Sequence, residues 1–286
     1  MIIPVLNAEQ YIGRQLDSLK RQTVKPMEIL VVDSESQDHT VEIANGFEGG
    51  RVIPVRRSSF DHGKTRDMAL RQTEGDYVLF LTQDAEIVKN TLIEDLLRCF
   101  TDEKIAVVSA RQIPRVDAGN AEKLIRQFNY PSGIRITGKA DIEKRGIKAV
   151  FVSDVCAMYR KDIYLKTGGF LYPLKTNEDM FYAATVLKQG YTIVYDGNTW
   201  VRHSHNFTLK QQYDRNYIQG YEMERHADLL EGTSRTSEGM RLVKYVSKGL
   251  LEKGHFLEEF RFFLDCCARL AGSENGRKAA LKGERK

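Results

Sequence analysis

Apolar positions in the first part of the chain fall into short blocks separated by amphipathic stretches. IIPV (2–5), EILVVD (28–33), RVIPV (51–55), DYVLFL (76–81) and KIAVVSA (104–110) run as near-continuous apolar segments rather than alternating with polar ones. That pattern predicts strands covered on both faces. Between them Ile12, Leu16 and Leu19 recur at helical spacing, and so do Leu92, Leu96 and Phe100. The alternation implies an α/β fold: a mostly parallel sheet flanked by helices.

From 129 to 148 the pattern dissolves into NYPSGIRITGKADIEKRGIK, which reads as a long Gly- and Lys-rich loop of the kind that covers a binding site. A strand at 149–153, a short helix near 160–166, a helix opening at NED (177–179) and short strands at 191–195 and 199–203 follow. Beyond 207 the strand signals stop. Residues 208–231 and 236–271 read as helices, the second with an apolar stripe of Leu257, Phe260, Phe263, Leu264 and Cys267. The chain therefore divides into an α/β body over 1–207 and a C-terminal helical extension over 208–286.

At 286 residues with 42% apolar and 29% charged positions, the composition is that of a soluble globular protein with room for one large domain or two small ones. No window offers the roughly 18 apolar residues of a membrane span. The start, MIIPVLN, lacks the basic flank of a signal peptide and reads as if the chain opened inside its first strand, so a few upstream residues are expected to be missing. Cys99, Cys156, Cys266 and Cys267 show no CxxC spacing, which excludes a zinc-ribbon pattern and fits a reducing cytoplasm without disulfides. The formal net charge of +4 is concentrated at the end, where Arg277, Lys278, Lys282, Arg285 and Lys286 stand against Glu284. Such a tail is either a solvated end or is attracted to an anionic membrane surface.

A parallel sheet raises the question of a nucleotide site. No GxGxxG follows the first strand, and Gly63-Lys64-Thr65 ends like a P-loop but has Ser58 where the first glycine should stand. The acids are more informative. Asp33 closes the second strand and opens DSESQDHT; it is either a helix N-cap or an acceptor for a pyrimidine N–H or a ribose hydroxyl. Asp84 follows a buried strand in YVLFLTQDA, where it either caps the next helix or faces a ligand at the carboxyl edge of the sheet.

IIPVLNAEQYI, EILVVDSESQDHT, EGDYVLFLTQDA and NEDMFYA, in this order, resemble family 2 of the glycosyltransferases, with the glycosyltransferase-A fold, over about residues 1–207. FDHGKTRD (60–67) beside TQDA resembles the bacterial rhamnosyltransferases, which use dTDP-L-rhamnose. The resemblance implies inverting transfer of a sugar from a pyrimidine nucleotide-diphosphate donor to a saccharide or lipid-linked acceptor in surface polysaccharide synthesis, with no nucleic acid partner. It assigns Pro4, Leu6 and Glu9 to the nucleotide loop and Asp33 to the base. His62 and Arg66 would lie near the diphosphate, and Asp84 would be the surviving carboxylate of an Asp-x-Asp motif whose first position is here Thr82. Asp179 would be the catalytic base, Glu178 would position the acceptor, and Asp154 would bind an acceptor hydroxyl. It also places such an enzyme in the cytoplasm, at the inner face of the cytoplasmic membrane; the C-terminal helix, with Phe256, Phe260, Phe263 and Leu264 on or near one side, either packs on the catalytic body or touches lipid.

A single carboxylate is a poor sole ligand for Mg2+ or Mn2+. His203 and His205 in WVRHSHNF alternate and so point to one face of a strand, where imidazole suits Mn2+ better than Mg2+. They are open to a second reading as hydrogen-bonding groups of the acceptor cleft. The incomplete Asp-x-Asp motif leaves one rival, a nucleotide-sugar-binding protein without activity; the retained Glu178-Asp179 pair argues against it. A nucleotidyltransferase would need a glycine-rich phosphate loop that LNAEQYIG does not provide.

Overall fold

The computed structural model describes residues 1–233 and 236–283. A single mixed sheet runs through the body in the order β3-β2-β1-β4-β8-β6-β9-β5, with β7 paired to β9. Its strands are β1 (Ile2–Val5), β2 (Ile29–Asp33), β3 (Gly50–Pro54), β4 (Tyr77–Leu81), β5 (Glu86–Ile87), β6 (Ile105–Ile113), β7 (Ile134–Thr137), β8 (Cys156–Arg160) and β9 (Thr192–Arg202). The helices are α1 (Glu9–Lys20), α2 (Thr40–Asn45), α3 (His62–Arg71), α4 (Leu92–Arg98), α5 (Asn120–Asn129), α6 (Asp141–Arg145), α7 (Lys161–Lys166), α8 (Glu178–Lys188), α9 (Leu209–Arg225), α10 (Thr236–Leu251) and α11 (Phe256–Leu281).

The apolar runs are buried on both sides, as their continuity requires. Ile2, Leu30, Val32, Val78 and Phe80 enter one core cluster with Tyr159, Phe181 and Tyr182. Their neighbours Ile3, Val31, Leu79 and Leu81 enter the other, against Ile12 and Leu16 of α1 and Leu92 and Leu96 of α4. Successive side chains on a strand point to opposite faces, so one uninterrupted run feeds both layers.

The α/β class holds, with one correction to the sheet. β1 through β4 are all parallel, but β8 is antiparallel to both β4 and β6, and β5 and β7 are antiparallel to β9. Parallel pairing therefore characterises β1 to β4 and returns once beyond them, between β6 and β9. The expected strand at 149–153 is also displaced. Gly146–Val150 is a 3-10 turn, and the strand proper is β8. Ala149, Val150 and Val152 are buried all the same, and a short apolar run does not by itself distinguish a strand from a buried turn.

The expected loop at 129–148 contains β7 and α6. β7 is short and carries exposed Ile134 and Ile136, so its strand state depends on pairing with β9 rather than on local pattern. The two strands expected at 191–195 and 199–203 are one, β9, with an interruption: its register against β6 jumps from Ala110–Asp196 to Arg111–Trp200. The helix expected over 236–271 is broken near 252–255 into α10 and α11, and α11 runs on to Leu281.

α9 and α11 lie in close contact, and glycines permit it. A Cβ at Gly276 would stand 2.0 Å from the carbonyl oxygen of Tyr217, and one at Gly272 2.3 Å from that of Tyr213. This contact sets the rotation of α11. Phe262, Gly272, Gly276 and Ala279 are buried, while Phe256, Leu257, Phe260 and Phe263 are exposed. The apolar stripe thus faces away from the body. Of the basic tail, Arg277 pairs with Glu274 at 3.0 Å, and Glu284, Arg285 and Lys286 lie outside the described residues.

Candidate active site

β4 ends at Leu81, and the chain turns through Thr82, Gln83 and Asp84 directly into β5, not into a helix. Asp84 is therefore no helix cap; it stands at the carboxyl edge of the sheet, where open α/β sheets bind ligands. Gln83 ties this turn to the loop after β1: its Oε1 accepts the Leu6 N–H at 2.7 Å and its Nε2 donates to the Leu6 carbonyl at 3.2 Å. Asp33 is not a cap either. α2 begins at Thr40, and the Asp33 carboxylate accepts the Ser36 N–H, at 3.4 and 3.2 Å on its two oxygens. Pro4 and Asp33 sit at adjacent positions on paired strands, with Val5 opposite Asp33. Glu9, exposed, accepts the His39 backbone N–H at 3.1 Å and meets its ring at 3.0 Å.

Most of the other expected residues converge. A cleft of about 500 Å3 is lined by His62, Arg66, Asp84, Asp154, Glu178, Asp179, His203 and His205; Pro4, Leu6, Glu9 and Asp33 are not in its wall. At one end Nε2 of His203 and Nε2 of His205 lie 3.5 and 3.4 Å from the same oxygen of Asp84. These three residues offer ligand atoms all within 4.8 Å of one another. The chemistry of the set suits a divalent cation. Burial and the neighbouring His203 hold the His205 imidazole down to about 4, so it is neutral and can donate its lone pair. Burial alone would raise the Asp84 carboxyl, but the hydrogen bond from His203 and the two imidazoles outweigh it and hold Asp84 at about 2. His203 Nδ1 is 2.9 Å from Oε1 of Gln112, an oxygen that can only accept. That contact keeps a ring proton on Nδ1, so Nε2 is the nitrogen that would offer a lone pair to a cation held with Asp84, the arrangement metal-bound histidines adopt.

At the other end lies a buried cluster of acids around one cation. Arg66, on α3, has Nε 3.3 Å from Asp154 and Nη1 3.2 Å from Glu178, and Nη1 also reaches Nδ1 of His62 at 3.1 Å. Asp154 takes the Tyr159 hydroxyl at 2.6 Å on its other oxygen. Asp179, at the start of α8, receives the backbone N–H of Asp154 on Oδ2 at 3.0 Å. Three carboxylates thus face a single guanidinium. Burial, reinforced by the charge of Glu178, pushes Asp179 up to about 7, and burial with the charge of Asp179 raises Asp154 well above the usual carboxylate range. Asp179 is the acid of this group with an edge open to the cleft, so it is the one placed to exchange a proton with a ligand. Arg66 is engaged by Asp154 and Glu178; Asp154 gives Oδ1 to Tyr159, while its Oδ2 is buried against Arg66 without a hydrogen bond. This geometry favours a positioning role for these two residues over the direct ligand contacts expected of them.

Several cleft residues were not anticipated. Gln112 on β6 orients His203 and gives its Nε2 to Ser153 Oγ at 2.9 Å. Gln212, Arg215, Asn216 and Gln219 of α9, with Arg269 of α11, close the wall from the helical extension. The four α9 positions follow the i, i+3, i+4, i+7 rule, so a polar stripe at helical spacing was the signal available for them.

Comparison with known proteins identifies the family. Residues 1–168 match the model of glycosyl transferase family 2. The chain is 38% identical over 221 residues to the O-antigen chain rhamnosyltransferase RfbN of Salmonella typhimurium, covering 77% of this chain and 70% of that protein. It is 37% identical over 222 residues to the O-antigen chain rhamnosyltransferase WbaN of Salmonella anatum, with the same shares covered. Among solved structures, the mannosyltransferase PcManGT from Pyrobaculum calidifontis in complex with GDP-Man and Mn2+ superposes with a TM-score of 0.67 at 14% identity, covering 99% of this chain and 87% of that one. TarS 1-349 of S. aureus in complex with UDP gives 0.58 at 18% identity, covering 99% and 91%. By matched family, by relatives and by fold, the chain belongs to glycosyl transferase family 2 and is a glycosyltransferase.

Proposed function

We propose that this enzyme transfers L-rhamnose, with inversion, from dTDP-L-rhamnose to a hydroxyl of a lipid-linked saccharide during surface polysaccharide synthesis. The observation that carries the reading is the single cleft holding a carboxylate poised near neutrality, Asp179, together with the Asp84–His203–His205 group. Inverting transfer is one displacement at the anomeric carbon. Asp179 takes the proton of the attacking hydroxyl, which typically contributes about 10²–10⁴ in rate. Burial, and then the charge of Glu178, raise the basicity of Asp179 while Glu178 and Asp154 hold Arg66, so the base is strong enough to accept the proton yet ionised in an appreciable fraction at pH 7. Asp84, His203 and His205 would hold a divalent cation, Mn2+ in preference to Mg2+ because two ligands are imidazoles. When bound, that cation neutralises charge on the departing diphosphate. Pro4, Leu6 and Asp33, at the carboxyl ends of β1 and β2, bind the pyrimidine nucleoside, with Asp33 accepting from base or ribose. Support for rhamnose comes from RfbN and WbaN, and support for Mn2+ from the complex of PcManGT.

No helix among the described residues is long and apolar enough to cross a membrane. The proposed setting is the cytoplasm, with the exposed apolar face of α11 against the inner surface of the membrane and a functional division near residue 207. The decisive experiment is a thermal-shift screen of dTDP-, UDP-, GDP- and ADP-sugars with and without Mn2+, followed by transfer assays with the ligands that stabilise the fold. Stabilisation by dTDP- and UDP-compounds, strengthened by Mn2+, is expected. Stabilisation by GDP- or ADP-sugars alone would remove Asp33 from base recognition.

A further inference from the structure

Behind the acid end of the cleft, the chain builds a second cavity of about 640 Å3 whose walls include Arg135 of β7, Arg145 of α6, Lys148 of the following 3-10 turn, and Arg241 of α10. A smaller hollow beside it is lined again by Arg135, Arg145 and Lys148, and by Phe151. Asn129 belongs to both hollows and to the wall of the active-site cleft, and Phe151 to the smaller hollow and the cleft, so the basic cavity adjoins the side on which Asp179 stands.

The charges in this cavity are unusual in what holds them. Arg145 donates to the Thr137 hydroxyl at 2.6 Å, Lys148 donates to Oδ1 of Asn129 at 2.6 Å, and the Arg135 guanidinium lies 5.8 Å from the centre of the Tyr195 ring. Lys148 Nζ also stands 5.0 Å from the Phe151 ring centre. All these partners are neutral. Glu143 and Glu238 also line the cavity, Glu238 being paired with Arg241, but among the described residues no carboxylate lies within ion-pair distance of Arg135, Arg145 or Lys148. Three cations are thus fixed by neutral groups around a space large enough for a ligand. Burial, and then the charges of Arg135, Arg241 and Arg145 against the opposing charge of Glu238, bring Lys148 down to about 8, so the cluster carries a real electrostatic cost without an anion. Cations held apart from carboxylates on preorganised neutral supports are what a phosphate site requires.

We propose that Arg135, Arg145 and Lys148 form an anion subsite that holds the phosphate or diphosphate ester of the acceptor, behind the hydroxyl presented to Asp179. The assignment to the acceptor rests on the function proposed above; the anion site itself does not. A sugar attached through a diphosphate would be gripped at its anionic end here and would project its free hydroxyl through the gap at Asn129 and Phe151. The subsite therefore selects acceptors by the charge of their anchor and leaves the nucleotide side untouched.

The test is calorimetric titration of the full chain with inorganic pyrophosphate in excess chelator, which removes any contribution of a cation at Asp84. Binding by the wild type is expected, weakened at least about 10-fold in Arg145→Gln/Lys148→Gln and kept in Asp84→Ala. Lys148→Arg, which retains the charge, should bind like the wild type, and a melting curve checks that each variant folds. No binding by the wild type, or equal binding by the double variant, overturns the subsite. A second arm compares a saccharide carrying a diphosphate anchor with the same saccharide bearing a neutral anchor. The double variant should raise KM at least about 10-fold for the first only, with kcat unchanged. An equal rise for both overturns the link to the acceptor. A third arm uses phosphatidylglycerol vesicles: loss of vesicle binding in the double variant with pyrophosphate affinity intact would make the cluster a lipid-headgroup contact and overturn the proposal. Failure of every acceptor to react, with pyrophosphate still bound through these cations, would count against the proposed reaction and not against the anion site.

Discussion

The backbone N–H of Asp154 donates to Oδ2 of Asp179 across 3.0 Å, so the segment that follows the 3-10 turn fixes the carboxylate at the start of α8. The same carboxylate takes the N–H of Met180 on Oδ1 at 2.7 Å. Both oxygens are thereby oriented while one edge faces the cleft. Asp179→Asn keeps the shape and the Asp154 contact and removes the base. Turnover should fall at least about 10²-fold with donor affinity largely retained, as read by single-turnover rates and nucleotide-sugar titration. Near-normal turnover would pass the role of base to Glu178.

The elevation of Asp179 has two pH signatures of opposite sign. For catalysis the base must be ionised, so the rate should rise with pH through about 7. For stability, the folded protein binds this proton more tightly than the unfolded chain, whose carboxyl titrates near 3.8. The contribution of Asp179 to stability is therefore lost as pH rises from about 4 to about 7, and the folded state carries a penalty above that range. Melting of Asp179→Asn against the wild type should show a gain that is small at pH 4 and grows to a plateau by pH 8. A gain independent of pH would show that the charge is not what burial opposes.

Gln112 is not itself an expected cation ligand, yet its Oε1 holds the ring of His203 through Nδ1 at 2.9 Å. Gln112→Leu should weaken Mn2+ binding by about 10–100-fold in calorimetric titration, approaching the effect of His203→Ala. Asp84→Ala should abolish it. Full activity of the wild type in excess chelator would shift charge neutralisation to the protein's own cations.

Gly276 allows α11 to meet α9 at Tyr217, and α9 in turn supplies one wall of the cleft. Gly276→Leu should cost about 1–3 kcal/mol or more by overpacking, read as a drop in the denaturant midpoint, and should also raise KM because Arg215 and Arg269 shift. An unchanged midpoint would mean the two helices separate without consequence for the body.

Phe256, Leu257, Phe260 and Phe263 stand 68%, 88%, 63% and 59% exposed on α11. If this face lies on a membrane, the full chain should co-sediment with anionic vesicles, and Leu257→Ser/Phe260→Ser should reduce binding without lowering the melting point. Added salt should weaken the part contributed by Lys278 and Lys282. Equal sedimentation of the double variant would free this face from the account.

The strands of the first half were readable from sequence because each is a local apolar run flanked by polar turns and set between amphipathic helices, the context that the run at 149–153 lacks. Asp84, Glu178, Asp179, His203 and His205 were legible for a related reason: each stands at or next to the end of a strand or the start of a helix, and in an α/β fold those ends gather at one edge. What the chain alone did not reveal depends on contacts between distant segments. β7 exists because β9 offers it hydrogen bonds, β8 enters between β4 and β6 antiparallel to both, and β9 shifts register where it pairs with β6. Arg66 reads locally as a cation beside a phosphate, but the fold brings Asp154 and Glu178 onto it from segments far along the chain. The stripe on α11 is equally plain in the sequence; only the glycine contact with α9 decides that it points outward, because helical periodicity defines a face and tertiary packing decides where that face is aimed.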